Sequence, residues 1–370
     1  MLSPNALRIF DAIGMYQPLK SKGFTFRTLT FMSDDTHEIS GTYDFGDSEK
    51  YGYDALRVYR SELVGELRTA VAEKGIAIEY GTKFSHVVSE DDKRVTFMFA
   101  GGKTETASLL IGADGIHSKV RKYIAPGVQA AYSGFLGVTY AFPASKLRLP
   151  SGQEEIFSKQ PVTLTASPPR SAFVMAPQNA DGSDIFAGRQ FKYPAPAAED
   201  SARDVWEKLD HDTSKLKGLL NDQKEEWSDV VQSALEAVEE DRITTWPFHT
   251  LLKLESWASA GGRVVVLGDS AHAVPPTAGQ GANQGAEDAF GFAALLRQLG
   301  PDAVGGDVWT KGLGSFAEYR KSRVEKVLEL NAAIDKVRMG IMKGEVKWEL
   351  DWLYQIDVEE QVQKIGSEVI

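Results

Sequence analysis

The chain has 370 residues, 42% hydrophobic and 25% charged, with a formal net charge of −11 and a pI near 5.2. That is ordinary globular composition, enough for two domains with real cores, and its acidic balance excludes an electrostatic footprint for nucleic acid. There are no cysteines, which excludes disulfides, thiolate metal sites and thiol catalysis and is compatible with the cytoplasm, the location expected here. No apolar run approaches the roughly 18 residues of a membrane helix, and MLSPNALRIFDAIG is not the basic-then-apolar pattern of a secretory signal.

Ser3-Pro4 reads as a helix cap followed by proline at the first helical position. Ala6, Leu7, Ile9, Phe10 and Ile13 supply an apolar face, and Gly14 ends the helix. FTFRTLTFM and HEISGTYDF, within Phe24–Asp47, alternate apolar and polar residues and read as two strands with an exposed face. Arg57–Glu73 reads as a helix with Leu63, Val64, Leu67 and Val71 on one face, and IAIEY, Ile76–Tyr80, as a short strand. Lys83–Ala100 reads as a hairpin turning at Asp91-Asp92, and Ser108–Ile111 as a buried strand that ends at Gly112-Ala113-Asp114-Gly115.

Beyond Pro126 the texture changes. GVTYAF, PVTLTAS, SAFVMAP and DIFAGRQFKY are short strand candidates separated by Pro, Gly and Asp turns, the spacing of an antiparallel sheet. Asp204–Glu240 reads as polar helix and RITTWPF, Arg242–Phe248, as a further strand. Trp246, Phe248 and Tyr140 are candidates for an aromatic pocket, though aromatics in strands are more often core.

The most informative stretch comes next. RVVVL, Arg263–Leu267, is an unbroken branched run, as in a strand buried on both faces of a parallel sheet. It stops at Gly268-Asp269, and ligands of open α/β sheets bind outside such carboxyl ends. A Pro- and Gly-rich loop with Pro275, Pro276, Gly279 and Gly281 follows, where glycine permits close backbone approach. A helix is predicted from about Gly281, with Ala282, Ala286, Ala289, Ala293 and Leu296 as its apolar stripe. Its positive N-terminal end suits an anion, or a ring that gains negative charge on reduction. Residues 311–346 return to helix, and the tail is acidic and aromatic, with Trp348, Trp352 and Tyr354.

Gly268, Asp269, Ala271, His272, Pro275, Gly279, Gln280, Gly281, Asn283, Gly285 and Asp288 stand in order, and this stretch resembles the second flavin-binding motif of the single-component (class A) FAD monooxygenases, the salicylate-hydroxylase-like group. Arg60 with Leu63 resembles their R-x-x-L; ADGIHSKVR resembles their DG motif, completed by Ser118 and Arg121; and the first residues resemble their P-N-A-L-R helix. The resemblance implies an α/β fold: a glutathione-reductase-type FAD-binding domain from residues 1–125 and 255–345, an inserted, mainly antiparallel β substrate domain at 126–254, and a tail at 346–370.

It also implies FAD held by Arg60, Asp114 and Gly115, by Gly268 and Asp269 at the ribityl chain, and by Pro275, Gly279, Gln280, Gly281, Ala282 and Asn283 along the pyrophosphate and ring. NADH or NADPH would reduce the flavin, dioxygen would add to form a flavin hydroperoxide, and one oxygen atom would pass to an aromatic or polyketide-like small molecule. The sequence designates no catalytic base, substrate or oligomeric state. No H-x-x-x-H, H-E-x-x-H or G-x-S-x-G occurs, so metal and serine-hydrolase sites are not expected.

One element of the family pattern is absent: G-x-G-x-x-G occurs nowhere. The expectation is a flavin domain lacking one N-terminal β-α-β unit, with weak FAD binding and an apolar edge bared on Ser108–Ile111 or Val264–Leu267. Three alternatives stand beside the monooxygenase: another flavoenzyme of this fold, a non-catalytic remnant, or a flavin-free NAD-dependent dehydrogenase, against which the long GD motif speaks.

Overall fold

The N-terminal helix spans Pro4–Ala12, as the Ser3-Pro4 pair predicts. Ser3 does not cap it, because its hydroxyl donates instead to Asn5 Oδ1 at 2.6 Å. Ala6, Leu7, Ile9 and Phe10 are buried, while Ile13 lies beyond the helix end and is exposed. The structure, a computed structural model, describes residues 1–166, 172–197, 202–251, 253–338 and 348–370.

Four strands come first: β1 (Phe24–Phe26), β2 (Thr28–Ser33), β3 (Ile39–Asp44) and β4 (Ala55–Arg57). Arg57 therefore ends a strand, and the helix expected from it runs Arg60–Glu73. Then come β5 (Phe84–Glu90), β6 (Val95–Phe99), β7 (Thr104–Ala107) and β8 (Leu110–Gly112). The β-rich stretch supplies β9 (Ala130–Pro143), β10 (Val162–Thr165), β11 (Ala172–Pro177), β12 (Asp184–Lys192) and β13 (Thr244–Leu251), and the valine run supplies β14 (Val264–Val266). The single polar helix expected between β12 and β13 is three helices, Ala202–His211, Thr213–Leu220 and Asp229–Glu236. Later helices span Gly281–Leu299, Asp307–Arg338, Asp351–Tyr354 and Val358–Val369. The expected helix over 339–346, with the outer ends of PVTLTAS and SAFVMAP, lies outside the described residues. Among the described residues no helix is long and apolar enough to cross a membrane.

By packing, the chain divides into two units. One comprises Met1–Arg68, Tyr132–Phe248 and Ala332–Tyr354; the other comprises Thr69–Ala131, His249–Asn331 and Gln355–Ile370. This is a division by contact. The expected domains, 1–125 with 255–345 around an inserted 126–254, have other bounds.

The first unit is built on a seven-stranded sheet in the order β13-β9-β12-β11-β10-β2-β3. All its pairings described in register are antiparallel except β10 with β2, which is parallel. β2 is thus an inner strand with four consecutive buried residues, not the exposed-face strand its alternation predicts. One face of the sheet is sealed: Leu136, Val138, Tyr140, Phe142, Phe173, Met175, Ile185 and Ala187 join Leu209, Leu216, Leu220 and Val231 of the three helices in one apolar core. The other face, carrying Thr139, Val174 and Phe186 on neighbouring strands, is only half-buried.

The second unit holds two sheets. β5-β6-β7 is an antiparallel meander, including the hairpin expected at Asp91-Asp92. β8 and β14 pair in parallel, Leu110 beside Val264 and Gly112 beside Val266. Arg263, 5% exposed, ties them by donating to the carbonyls of Ser108 and Val304, at 2.9 and 2.8 Å, and of Asp92. The two strands differ in burial: Val264–Val266 are sealed, while Ile111 is 44% exposed. IAIEY forms no strand, and Ile76, Ile78 and Tyr80 are all exposed. A β-prone run becomes a strand only when a neighbour accepts its hydrogen bonds, and among the described residues none pairs with it.

Candidate cofactor site

Because β8 and β14 run parallel, both carboxyl ends open on the same side, and each is followed by an aspartate, Asp114 and Asp269. The two turns are latched together. Leu267 N donates to Gly112 O at 3.0 Å, and Ser270 Oγ accepts from Gly115 N at 2.9 Å while reaching Asp114 Oδ1 at 3.2 Å. Arg121, 2% exposed, donates to Ser270 O at 2.9 Å and Ile116 O at 2.6 Å. Burial pushes its pKa down, against the opposing pull of Asp114. A side chain at Gly112 would meet Val120 at 2.5 Å, so this crossing requires glycine.

Asp114 is committed to this turn. Its carboxylate accepts from Ser118 Oγ, from Lys119 N at 2.7 Å and from Val120 N at 3.3 Å. Asp269 is exposed at the mouth, within the short turn Gly268–Ser270.

Behind Gly268 lies a buried charge cluster. Asp288 Oδ2 accepts from Gly268 N at 2.8 Å and lies 2.6 Å from His272 Nε2, and its Oδ1 accepts from Arg320 Nε at 2.7 Å. Arg320 also pairs with Glu287, and Arg323 donates to both Glu287 oxygens at 2.8 Å. Asp288, Glu287 and Arg320 are each 0% exposed. Burial raises the Asp288 pKa, but the charges of His272 and Arg320 outweigh it and bring it to about 2. For Arg320 burial acts downward and the two carboxylates prevail, leaving it raised.

This cluster overturns the predicted stripe of the helix Gly281–Leu299. Ala282, Ala289 and Ala293 face out, and the buried face is Asn283, Gln284, Glu287, Asp288, Gly291, Phe292, Ala294 and Leu295. Glu287 and Asp288 go inside because Arg320 and Arg323, on another helix, neutralise them there. Sequence reasoning missed both arginines. The only local trace was their three-residue spacing on one helix face.

The helix does begin at Gly281. The loop before it is pinned: Asn331 Oδ1 accepts from Ala278 N at 2.9 Å, Asn283 Nδ2 donates to Gly279 O at 2.7 Å, and Gly279 takes φ +62° after the short turn Pro276–Ala278 opened by Pro275. Gln280, next in line, is buried. Nothing lies within 4 Å of a Cβ built at Gly115, and at Gly281 the nearest atom is Val274 O at 3.9 Å.

The second unit thus brings together Asp114, Gly115, Gly268, Asp269, Pro275, Gly279, Gln280, Gly281, Ala282 and Asn283. Arg60 belongs to the first unit, where its guanidinium stacks 4.6 Å from the Trp246 ring centroid. Of the pocket candidates, Tyr140 is buried in the sealed core, while Trp246 is 46% exposed. His249 meets His117 edge-on, with ring centroids 5.0 Å apart.

A parallel strand pair with an aspartate beyond each tip, a bare glycine mouth and a helix N-terminus has the form of the ligand-binding end of an open α/β sheet. The chain belongs to the FAD binding domain family, which matches residues 1–330. It is 25% identical over 313 residues to the FAD-dependent monooxygenase penM of Penicillium crustosum, covering 80% of this chain and 60% of that protein. It is 26% identical over 305 residues to 6-hydroxynicotinate 3-monooxygenase of Pseudomonas fluorescens, covering 81% and 72% respectively. Among solved structures, CtdE in complex with FAD and its substrate superposes with a TM-score of 0.75 at 20% identity, covering 100% of this chain and 89% of that one.

The mouth fits the cofactor of this family. Bare backbone at Gly115 and Gly281 leaves room for a flat or phosphorylated group, and the Asp269 carboxylate suits ribityl hydroxyls.

Proposed function

We propose that this protein is an FAD-dependent monooxygenase that draws electrons from NADH or NADPH and inserts one atom of dioxygen into an aromatic or polyketide-like small molecule. Residues 1–125 and 255–345 would handle the flavin and residues 126–254 the substrate. The observation that carries the reading is the glycine-lined mouth at the tips of β8 and β14, fixed from below by Ser270, Arg121 and Asp288. Support also comes from relatives whose names state monooxygenation, one of them of 6-hydroxynicotinate.

FAD, when bound, supplies the hydride acceptor and the dioxygen chemistry. The chain supplies binding and orientation. Asp269 would accept hydrogen bonds from ribityl hydroxyls, and Gly279 to Asn283 would hold the loop and helix end against the pyrophosphate and ring, with Pro275 setting the loop's entry. Asp288 and His272 keep the Gly268 turn in place. Arg60, which matches the arginine of the family's R-x-x-L, is a further candidate cofactor residue. The test is purification of the chain with FAD, then NADH and NADPH oxidation followed together with dioxygen uptake and product mass. Bound flavin with coenzyme oxidation and a product one oxygen heavier supports the reading; bound flavin without coenzyme oxidation across a phenol panel would leave only a flavin-binding protein.

A further inference from the structure

Arg57 is more than nine-tenths buried yet pairs with no carboxylate among the described residues. It ends β4, and among the described residues its only hydrogen-bond acceptor is Gln178 Oε1, which takes Nη2 at 2.6 Å and Nε at 3.2 Å. Nη1 therefore has no acceptor there. The guanidinium lies 5.0 Å from the Phe186 ring centroid. The carboxylate near this strand end, Asp184, is engaged elsewhere, accepting from Tyr59 and from Arg242 at 3.1 Å. Burial alone lowers the Arg57 pKa, to about 10, with no neighbouring charge offsetting it.

A second cation stands close. It is Arg60, three residues on in the same unit, whose guanidinium lies 4.6 Å from the Trp246 ring centroid. Phe186 faces away from the sealed core, since it pairs with Ala141 and Ala176 while Tyr140, Ile185 and Ala187 point the other way. Across β9, Trp246 carries Arg60, and Phe248 lies over Gly137, where a Cβ would come within 3.2 Å of its ring. The half-open face thus combines small residues, aromatic rings and two cations without carboxylate partners among the described residues. A buried cation is costly without a counter-charge, so the guanidinium groups suit an anion, while the aromatic side chains offer offset or edge packing to a flat ring that carries it.

We propose that Arg57, braced by Gln178 and Phe186, is an anion-recognising subsite that selects substrates bearing a carboxylate or phenolate on an aromatic ring. The proposal rests on the monooxygenase reading only for the substrate being an aromatic small molecule. Nη1 would donate to the anion, Gln178 fixes the plane of the fork, and Arg60 on Trp246 adds a second positive charge at the rim.

The experiment is calorimetric titration of the full chain with benzoate and salicylate, and with the neutral benzamide and salicylamide, without coenzyme or turnover. The parent should bind each acid at least about tenfold more tightly than its amide, the size expected for one charge-assisted hydrogen bond. Arg57→Gln should abolish that preference with flavin content unchanged, and Arg57→Lys should restore part of it. Gln178→Glu places a carboxylate against Arg57 and should remove the preference while keeping the guanidinium, so a misfolded Arg57 variant does not decide the question. Equal binding of acid and amide by the parent, or a preference surviving Gln178→Glu, overturns the subsite. Failure of coenzyme oxidation would instead overturn the proposed reaction and leave these affinities untouched.

Discussion

Arg320 and Arg57 are both buried arginines, and the structure treats them in opposite ways. Arg320 is 0% exposed and touches two carboxylates, Glu287 and Asp288, so its charge is cancelled where it lies. Arg57 is held by one neutral amide and one aromatic ring. A compensated buried charge holds elements in place, whereas an uncompensated one is retained at a cost to folding and points to a ligand. The same side chain is therefore a compensated charge in one place and, in the other, a charge free for the proposed ligand.

The largest expected effect breaks the scaffold side. Arg320→Met strands two carboxylates in the interior and should cost about 3–5 kcal/mol in urea unfolding. Arg57→Met removes an uncompensated charge and should change stability by no more than about 1 kcal/mol. Equal losses in the two variants would erase the distinction.

Next comes the cofactor end that the compensated cluster supports. Asp269→Ala removes a charged acceptor at the mouth and should weaken flavin binding by about 1.5–3 kcal/mol, roughly ten- to hundredfold. Flavin titration of variant and parent measures it, and equal affinities in folded proteins would remove Asp269 from the site.

The cluster should also leave a signature in acid. Asp288 is held below its ordinary 3.8, at about 2. A depressed carboxyl stabilises the fold above its unfolded pKa and loses that contribution as pH falls through the folded one. The parent should lose about 2 kcal/mol between pH 4 and pH 2 from this group, and Asp288→Asn should lack that part of the acid limb. Identical acid profiles would show that the cluster does not hold the charge ascribed to it.

The smallest effect on folding is expected at Gly281. A Cβ there meets only Val274 O at 3.9 Å, so Gly281→Val should fold within about 0.5 kcal/mol of the parent while losing flavin affinity through blocked backbone approach. Normal flavin binding by this variant would make the loop structural only.

Much of the backbone at the glycine-lined mouth was legible in the sequence because its signals are local. A valine run, a glycine-aspartate stop, two prolines and a glycine act on backbone torsions within a few residues, and β14, its turn and the helix start at Gly281 lie where those residues place them. The antiparallel strands of the β-rich stretch were legible for the same reason, from turn residues at short spacing.

Pairing and burial were settled at long range. IAIEY has the composition of a strand but pairs with no strand among the described residues, and Ile111 has the pattern of a core residue but stands 44% exposed. The alanine stripe of the helix Gly281–Leu299 faces outward because Glu287 and Asp288 find arginines more than 30 positions downstream. Arg57, whose surroundings depend on Gln178 and Phe186, could be read from sequence only as the start of a helix. The sequence by itself determined where the backbone turns, because torsional preference belongs to each residue. Which charges are buried, and which of them lack a partner, only the tertiary structure decided, because the energy of a charge depends on what surrounds it.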